Sequence, residues 1–112
     1  MSAITTHVLD VSRGRPASGV AVMLERVSAP QSGTQSRAST DADGRVKAFT
    51  PVPSIQAGTY RLTFEVGPYF AAAGVEALYP RVVVEFEVRD PSQHYHVPLL
   101  LSPFGYSTYR GS

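Results

Sequence analysis

Two of the three histidines in this 112-residue chain, His94 and His96, stand one residue apart at the head of its densest apolar run. A strand alternates its side chains between faces, so a strand over residues 92–101 puts both imidazoles on one face. Imidazole titrates closest to neutral pH, which suits it to taking a proton from an attacking water. Such a pair can also ligate zinc or copper, with His7 as a third ligand. H-x-H alone is a weak metal signature, and strand histidines are more often surface or hydrogen-bonded residues. No metal and no cofactor is therefore assigned.

Other chemistries have less support. Asp41-Ala42-Asp43-Gly44 resembles the start of an EF-hand loop, but the glycine comes too early and no glutamate closes the loop. A tight turn with a left-handed residue is expected there instead. No G-x-S-x-G elbow marks a nucleophilic serine. Without cysteine there is no thiol nucleophile, disulfide or zinc finger. A hydrolase built from these residues would use water as nucleophile and histidine as base.

The strand that carries the histidines has two unlike faces. Tyr95, Val97, Leu99 and Leu101 share the face expected to be core. His94, His96, Pro98 and Leu100 share the other, which is too apolar for solvated surface and too polar for core. It has the character of a face that meets something. The chain runs on to Tyr109-Arg110-Gly111-Ser112 with no disordered linker, and it stops two residues past Arg110. An arginine and a carboxylate held at a strand end offer both signs of charge to a small polar ligand.

The elements that must position these groups read as strands. Residues 4–12 form a β-branched run closed by Arg13-Gly14-Arg15-Pro16, and Gly19 opens a second strand in which Val20, Val22 and Leu24 share a face. Pro30 to Gly33 is a turn by composition, and Thr34 to Thr40 is a polar strand suited to an edge. Arg45 to Thr50 resumes as a short strand. Residues 59–66 alternate, with Tyr60, Leu62, Phe64 and Val66 inward, and residues 81–89 do so with Val82, Val84, Phe86 and Val88. Between them, Pro68 suits the first turn of one short helix over Tyr69 to Ala73, capped by Gly74. Strands near 93–101 and 104–110 complete a count of about eight, which in one domain of this length argues an all-β sandwich.

Bulk properties narrow the partners. Ten basic and nine acidic residues leave a net charge of +1, with no basic stripe for nucleic acid. Lys47 is the only lysine, so the cations are nearly all arginine, the residue suited to planar bidentate recognition. The N-terminus shows no secretory signal, and no apolar run approaches the ~20 residues of a membrane span. The expectation is a soluble cytoplasmic protein.

Three separated motifs add a resemblance. Thr5-Thr6-His7-Val8-Leu9-Asp10 with Gly14-Arg15-Pro16-Ala17, then Thr40-Asp41-Ala42-Asp43-Gly44-Arg45, then His94 to Ser112 ending in Tyr-Arg-Gly-Ser, resemble those of the transthyretin-like 5-hydroxyisourate hydrolases. The resemblance spans residues 1–112 as one domain. It implies a transthyretin-type, immunoglobulin-like sandwich of two four-stranded sheets with one short helix. It also implies a homotetramer, a dimer of dimers, with active sites in the channel at the dimer–dimer interface.

The implied reaction is the opening of 5-hydroxyisourate by water at a ring amide in urate breakdown. Its product is 2-oxo-4-hydroxy-4-carboxy-5-ureidoimidazoline. By the same resemblance His7, Arg45 and His96 are catalytic, and Tyr109, Arg110, Gly111 and Ser112 bind substrate. The competing expectation is a non-enzymatic transthyretin-like carrier of a small apolar ligand. That function needs neither the histidines nor Arg45 nor a polar tail.

Overall fold

The computed structural model describes residues 3–27 and 35–112. The turn expected over Pro30 to Gly33, and Thr34, lie outside the described residues. The remaining chain folds as two β-sheets packed face to face over one core, with a single short helix.

The first sheet is built on β1 (Ile4–Asp10), which pairs in parallel with β8 (Tyr95–Ser102). On the far side of β8 runs β9 (Gly105–Thr108), antiparallel. The other edge of β1 is shared by two two-residue strands, β2 (Arg15–Pro16) and β5 (Arg45–Val46), so the sheet is four positions wide. The second sheet has the order β4 (Gln35–Ser39), β3 (Ala21–Arg26), β6 (Gly58–Glu65), β7 (Val82–Val88), antiparallel throughout. The polar segment expected at an edge, β4, is at one.

Alternation places the core. Along β1, Ile4, Thr6, Val8 and Asp10 are buried while Thr5, His7 and Leu9 are only partly so. Tyr95, Val97, Leu99 and Leu101 point inward from β8 and meet Tyr60, Leu62 and Phe64 of β6 across the sandwich. Burying a side chain such as Leu99, which is fully enclosed, contributes about 1.5–3 kcal/mol. Two polar groups of β1 enter this interior with their bonds satisfied. Thr6 Oγ1 donates to the Val97 carbonyl. Asp10 Oδ1 accepts from the Ser12 N–H and hydroxyl and the Arg13 N–H, and its Oδ2 accepts from the Tyr69 hydroxyl at 2.8 Å.

The last of these bonds ties the helix α1 (Val66–Ala72) to the end of β1. The helix begins two residues before Pro68, directly off β6, and buries Val66 and Phe70. It stops where Gly74 takes up a left-handed conformation, φ +70°, as expected of a helix-terminating glycine.

The strand expected over Arg45 to Thr50 is shorter than its composition suggests. Only Arg45–Val46 pairs with β1, and Thr50 turns away to bridge Arg37 in the other sheet. Pro51 and Pro53, which cannot donate to a ladder, follow immediately.

Candidate active site

One turn and one strand pair assemble the polar groups. At the turn after β4, Asp41 Oδ1 accepts from the N–H groups of Asp43 and Arg45, each at 2.9 Å. Those two N–H groups hold the Asp41 carboxyl below its usual range. Gly44 closes the turn at φ +75°, and a Cβ there would run into the Val8 carbonyl and the Pro16 side chain. Backbone bonds from Val8 N–H to the Gly44 carbonyl and from Ala17 N–H to the Val8 carbonyl fix the turn against β1. The result is that Arg45 sits directly opposite His7 in the register.

His7 is oriented by the same turn. Its Nε2 lies 2.9 Å from the Asp43 carbonyl oxygen. A carbonyl only accepts, so Nε2 carries a proton, and in the neutral ring the lone pair is on Nδ1.

The parallel pairing of β1 with β8 brings in the second histidine. Thr5 stands opposite His96, and its hydroxyl oxygen is 2.8 Å from His96 Nδ1 and 2.9 Å from His94 Nε2. The two imidazoles stack, 6.4 Å between centroids and 17° between planes. Among the described residues nothing bonds to His96 Nε2. Burial lowers the pKa of His96 below the ordinary 6.5, and the charges of Arg45, His7 and His94 lower it further. His96 is thus held neutral, the form a base requires.

These groups surround a concavity of about 440 Å³ on the outer face of the first sheet, lined by Thr5, Thr6, Arg45, Val46, Lys47, His94, His96 and Ser112. Arg45 and Lys47 supply it with two cations. Such a site suits a planar ligand rich in acceptor atoms, and stabilises negative charge developing on an oxygen.

The structure distributes the seven residues singled out in the sequence. Arg45, His96 and Ser112 line the concavity, and His7 lies beside it, paired with Arg45. The tail stays in register with β8 beyond β9: Leu99 pairs with Thr108 and His96 bridges Gly111. Gly111 packs on the His96 ring. Tyr109 and Arg110 instead line a second cavity, of about 460 Å³, together with Val84, Phe86, Tyr95 and Val97. There the Arg110 guanidinium lies 4.4 Å above the Tyr95 ring and donates to Gln93 Oε1 and the His94 carbonyl. Within one chain the tail therefore divides, its last two residues at the histidines and the preceding two at the gap between the sheets.

Residues 4–111 match the HIUase/Transthyretin family. The chain belongs to that family. A 5-hydroxyisourate hydrolase of Caulobacter vibrioides is 45% identical over 116 residues, covering 100% of both chains. Among solved structures of the family, the 5-hydroxyisourate hydrolase of Klebsiella pneumoniae superposes with a TM-score of 0.84 at 42% identity, over 100% of this chain and 94% of that one. Transthyretin from Sparus aurata gives 0.85 at 28% identity, over 99% and 97%. The sandwich is thus of transthyretin type, as expected.

Thr5 and Lys47 are site residues that the sequence reading did not single out. Thr5 shares a face with His7 by strand period, which was a usable signal. That the same face continues onto His94 and His96 depends on a pairing across some 90 residues, and strand period does not carry that information.

Proposed function

We propose that this chain hydrolyses 5-hydroxyisourate, water attacking a ring amide to give 2-oxo-4-hydroxy-4-carboxy-5-ureidoimidazoline. The observation that carries the reading is the neutral His96 facing the same concavity as Arg45, in a chain 45% identical from end to end to a hydrolase of that name.

His7 and His96 share the activation of water and the relay of its proton. His96 offers Nε2 and His7 offers Nδ1 for this purpose. Arg45 orients the substrate and stabilises the oxyanion formed as the C–O bond is made. The proton taken from water is returned to the ring nitrogen as the C–N bond breaks, so protons balance over the cycle. Gly111 and Ser112 shape the wall at His96, and Tyr109 and Arg110 complete the substrate site in the assembled protein.

That assembly is a homotetramer with its sites at the dimer–dimer interface. Two features support it: β7 and β9 are end strands of their sheets, and the face bearing the histidines leaves Leu100 only partly covered. Edge strands with free backbone groups invite pairing with another copy. Sedimentation at four times the chain mass is expected, and a monomer at working concentration would remove this part of the reading. No helix among the described residues is long and apolar enough to cross a membrane, and action in the cytoplasm is part of the proposal.

Fold similarity does not separate this reading from a carrier, since hydrolase and transthyretin superpose with nearly equal TM-scores. The site does. An apolar ligand gains nothing from two cations and three imidazoles, whereas amide hydrolysis uses a base and an oxyanion partner. The experiment is to add the protein to freshly generated 5-hydroxyisourate and follow its ultraviolet decay. Acceleration above the spontaneous rate is expected; decay at the spontaneous rate would dispose of the enzyme.

A further inference from the structure

We propose that Thr5 is a positioning residue that sets the tautomer of His96, accepting the His96 Nδ1–H and donating its own hydroxyl proton to His94 Nε2. The two contacts stand by themselves; the choice between the proton orders they allow rests on the hydrolase reading.

Thr5 Oγ1 lies within hydrogen-bond distance of both ring nitrogens, 2.8 Å from His96 Nδ1 and 2.9 Å from His94 Nε2. A hydroxyl has one proton to give and lone pairs to receive. With both rings neutral, two proton orders satisfy both contacts. In one, His96 donates from Nδ1, Thr5 donates to His94, and His96 Nε2 keeps its lone pair. In the other, His94 donates to Thr5, Thr5 donates to His96 Nδ1, and His96 carries its proton on Nε2.

Only the first order leaves His96 a base on the nitrogen that has no protein partner.

The same arrangement gives His94 a role. When His96 Nε2 takes a proton from water, its Nδ1 proton can shift to Thr5 Oγ1 as the Thr5 proton shifts to His94 Nε2. No proton is gained or lost, and the positive charge moves from half-buried His96 to exposed His94. It moves within a field set by Arg45 on β5, Lys47 just beyond it, His7 on β1, and Arg110, which bonds the His94 carbonyl. A charge costs less at the exposed ring because water solvates it there.

The test compares wild type with Thr5→Val, which keeps the shape and removes the hydroxyl, and Thr5→Ser, which keeps the hydroxyl. Ring tautomers are read by long-range proton–nitrogen NMR on 15N-histidine protein, without substrate, at a pH where the rings are neutral. Wild type and Thr5→Ser should hold His96 as the Nδ1–H form, and Thr5→Val should move it toward Nε2–H. In turnover of 5-hydroxyisourate, Thr5→Val should lower kcat about tenfold, the rate equivalent of one hydrogen bond. KM should change by less than about twofold, the pattern of a group acting through the base and not on ground-state binding. Thr5→Ser should restore kcat.

A wild-type His96 found in the Nε2–H form overturns the proposal, as does a Thr5→Val protein with unchanged tautomer. If Thr5→Val does not fold, the wild-type and Thr5→Ser tautomers still decide. A wild-type protein that holds His96 as Nδ1–H yet does not accelerate the hydrolysis would sink the hydrolase reading and sustain the Thr5 assignment.

Discussion

Gly111 lies against the imidazole of His96. Its N–H donates to the His96 carbonyl at 2.8 Å, and a Cβ built on it would fall 2.6 Å from His96 Cδ2 and 3.2 Å from Pro98 Cγ. The ring therefore has a wall that only a glycine leaves room for. Gly111→Ala should push either the tail or the ring aside while the core is untouched. Small misplacements of reacting groups are expensive, so kcat/KM should fall about ten- to a hundredfold with little change in melting temperature. Unchanged kinetics in this variant would show that the tail can leave His96 without consequence.

The pH dependence follows from His96. Burial and its cationic neighbours lower its pKa below 6.5, so in its proposed role as base it stays available into mildly acid solution. The acid limb of the kcat/KM profile should lie below that of an ordinary histidine, and activity should drop as pH falls through it. Stability should change in the same direction. Below pH 6.5 the unfolded chain binds a proton that the folded His96 resists, so unfolding is favoured as pH falls and folding recovers as pH rises. An acid limb centred above 6.5 would show that His96 does not govern the profile.

Asp41 positions both Arg45 and His7, the groups given catalytic roles in the proposal, because its Oδ1 holds the backbone of Arg45 and of Asp43, whose carbonyl orients His7. Asp41→Ala should loosen the turn and lower kcat/KM by about tenfold, the rate equivalent of losing one positioning hydrogen bond. Asp41→Asn, which retains an acceptor oxygen, should recover most of it. Steady-state kinetics on the pair distinguish a positioning effect from loss of charge, since equal damage in both would point to charge.

The bond from the Tyr69 hydroxyl to buried Asp10 joins the helix to the first sheet. Tyr69→Phe leaves one carboxylate oxygen of a fully buried group without its donor. The expected cost is about 1–3 kcal/mol of stability. It should be read as a lower urea midpoint with an unchanged slope. A midpoint equal to wild type would mean that the helix contributes little through this contact.

Much of the fold was legible because strand period is a local signal. Tyr60, Leu62, Phe64 and Val66, and Tyr95, Val97, Leu99 and Leu101, alternate in the sequence and are buried as that alternation requires. The Asp41–Gly44 turn was equally readable from its residue types. What local pattern does not supply is pairing. The shortness of β5, whose chain crosses to the other sheet at Thr50, and the parallel contact of β1 with β8 are tertiary choices.

The candidate site was legible in the same uneven way. A strand face carrying His94 and His96 could be derived from alternation. The placement of Arg45 opposite His7 depends on a register between distant strands, so it entered through family resemblance. Thr5 escaped notice because an isolated threonine on a strand is unremarked until its neighbours are known. The turning of Tyr109 and Arg110 toward the second cavity is likewise a matter of where the tail runs, and motif order alone places all four tail residues together.

The central claim is that His96 is a base for hydrolysis of 5-hydroxyisourate. Its most direct test is stopped-flow ultraviolet decay of freshly generated substrate with wild type, His96→Ala and no protein. Wild type should run well above the spontaneous rate. His96→Ala should lose about two to four orders of magnitude in kcat, the contribution of a general base, while remaining folded. A His96→Ala protein that turns over as fast as wild type would contradict the claim.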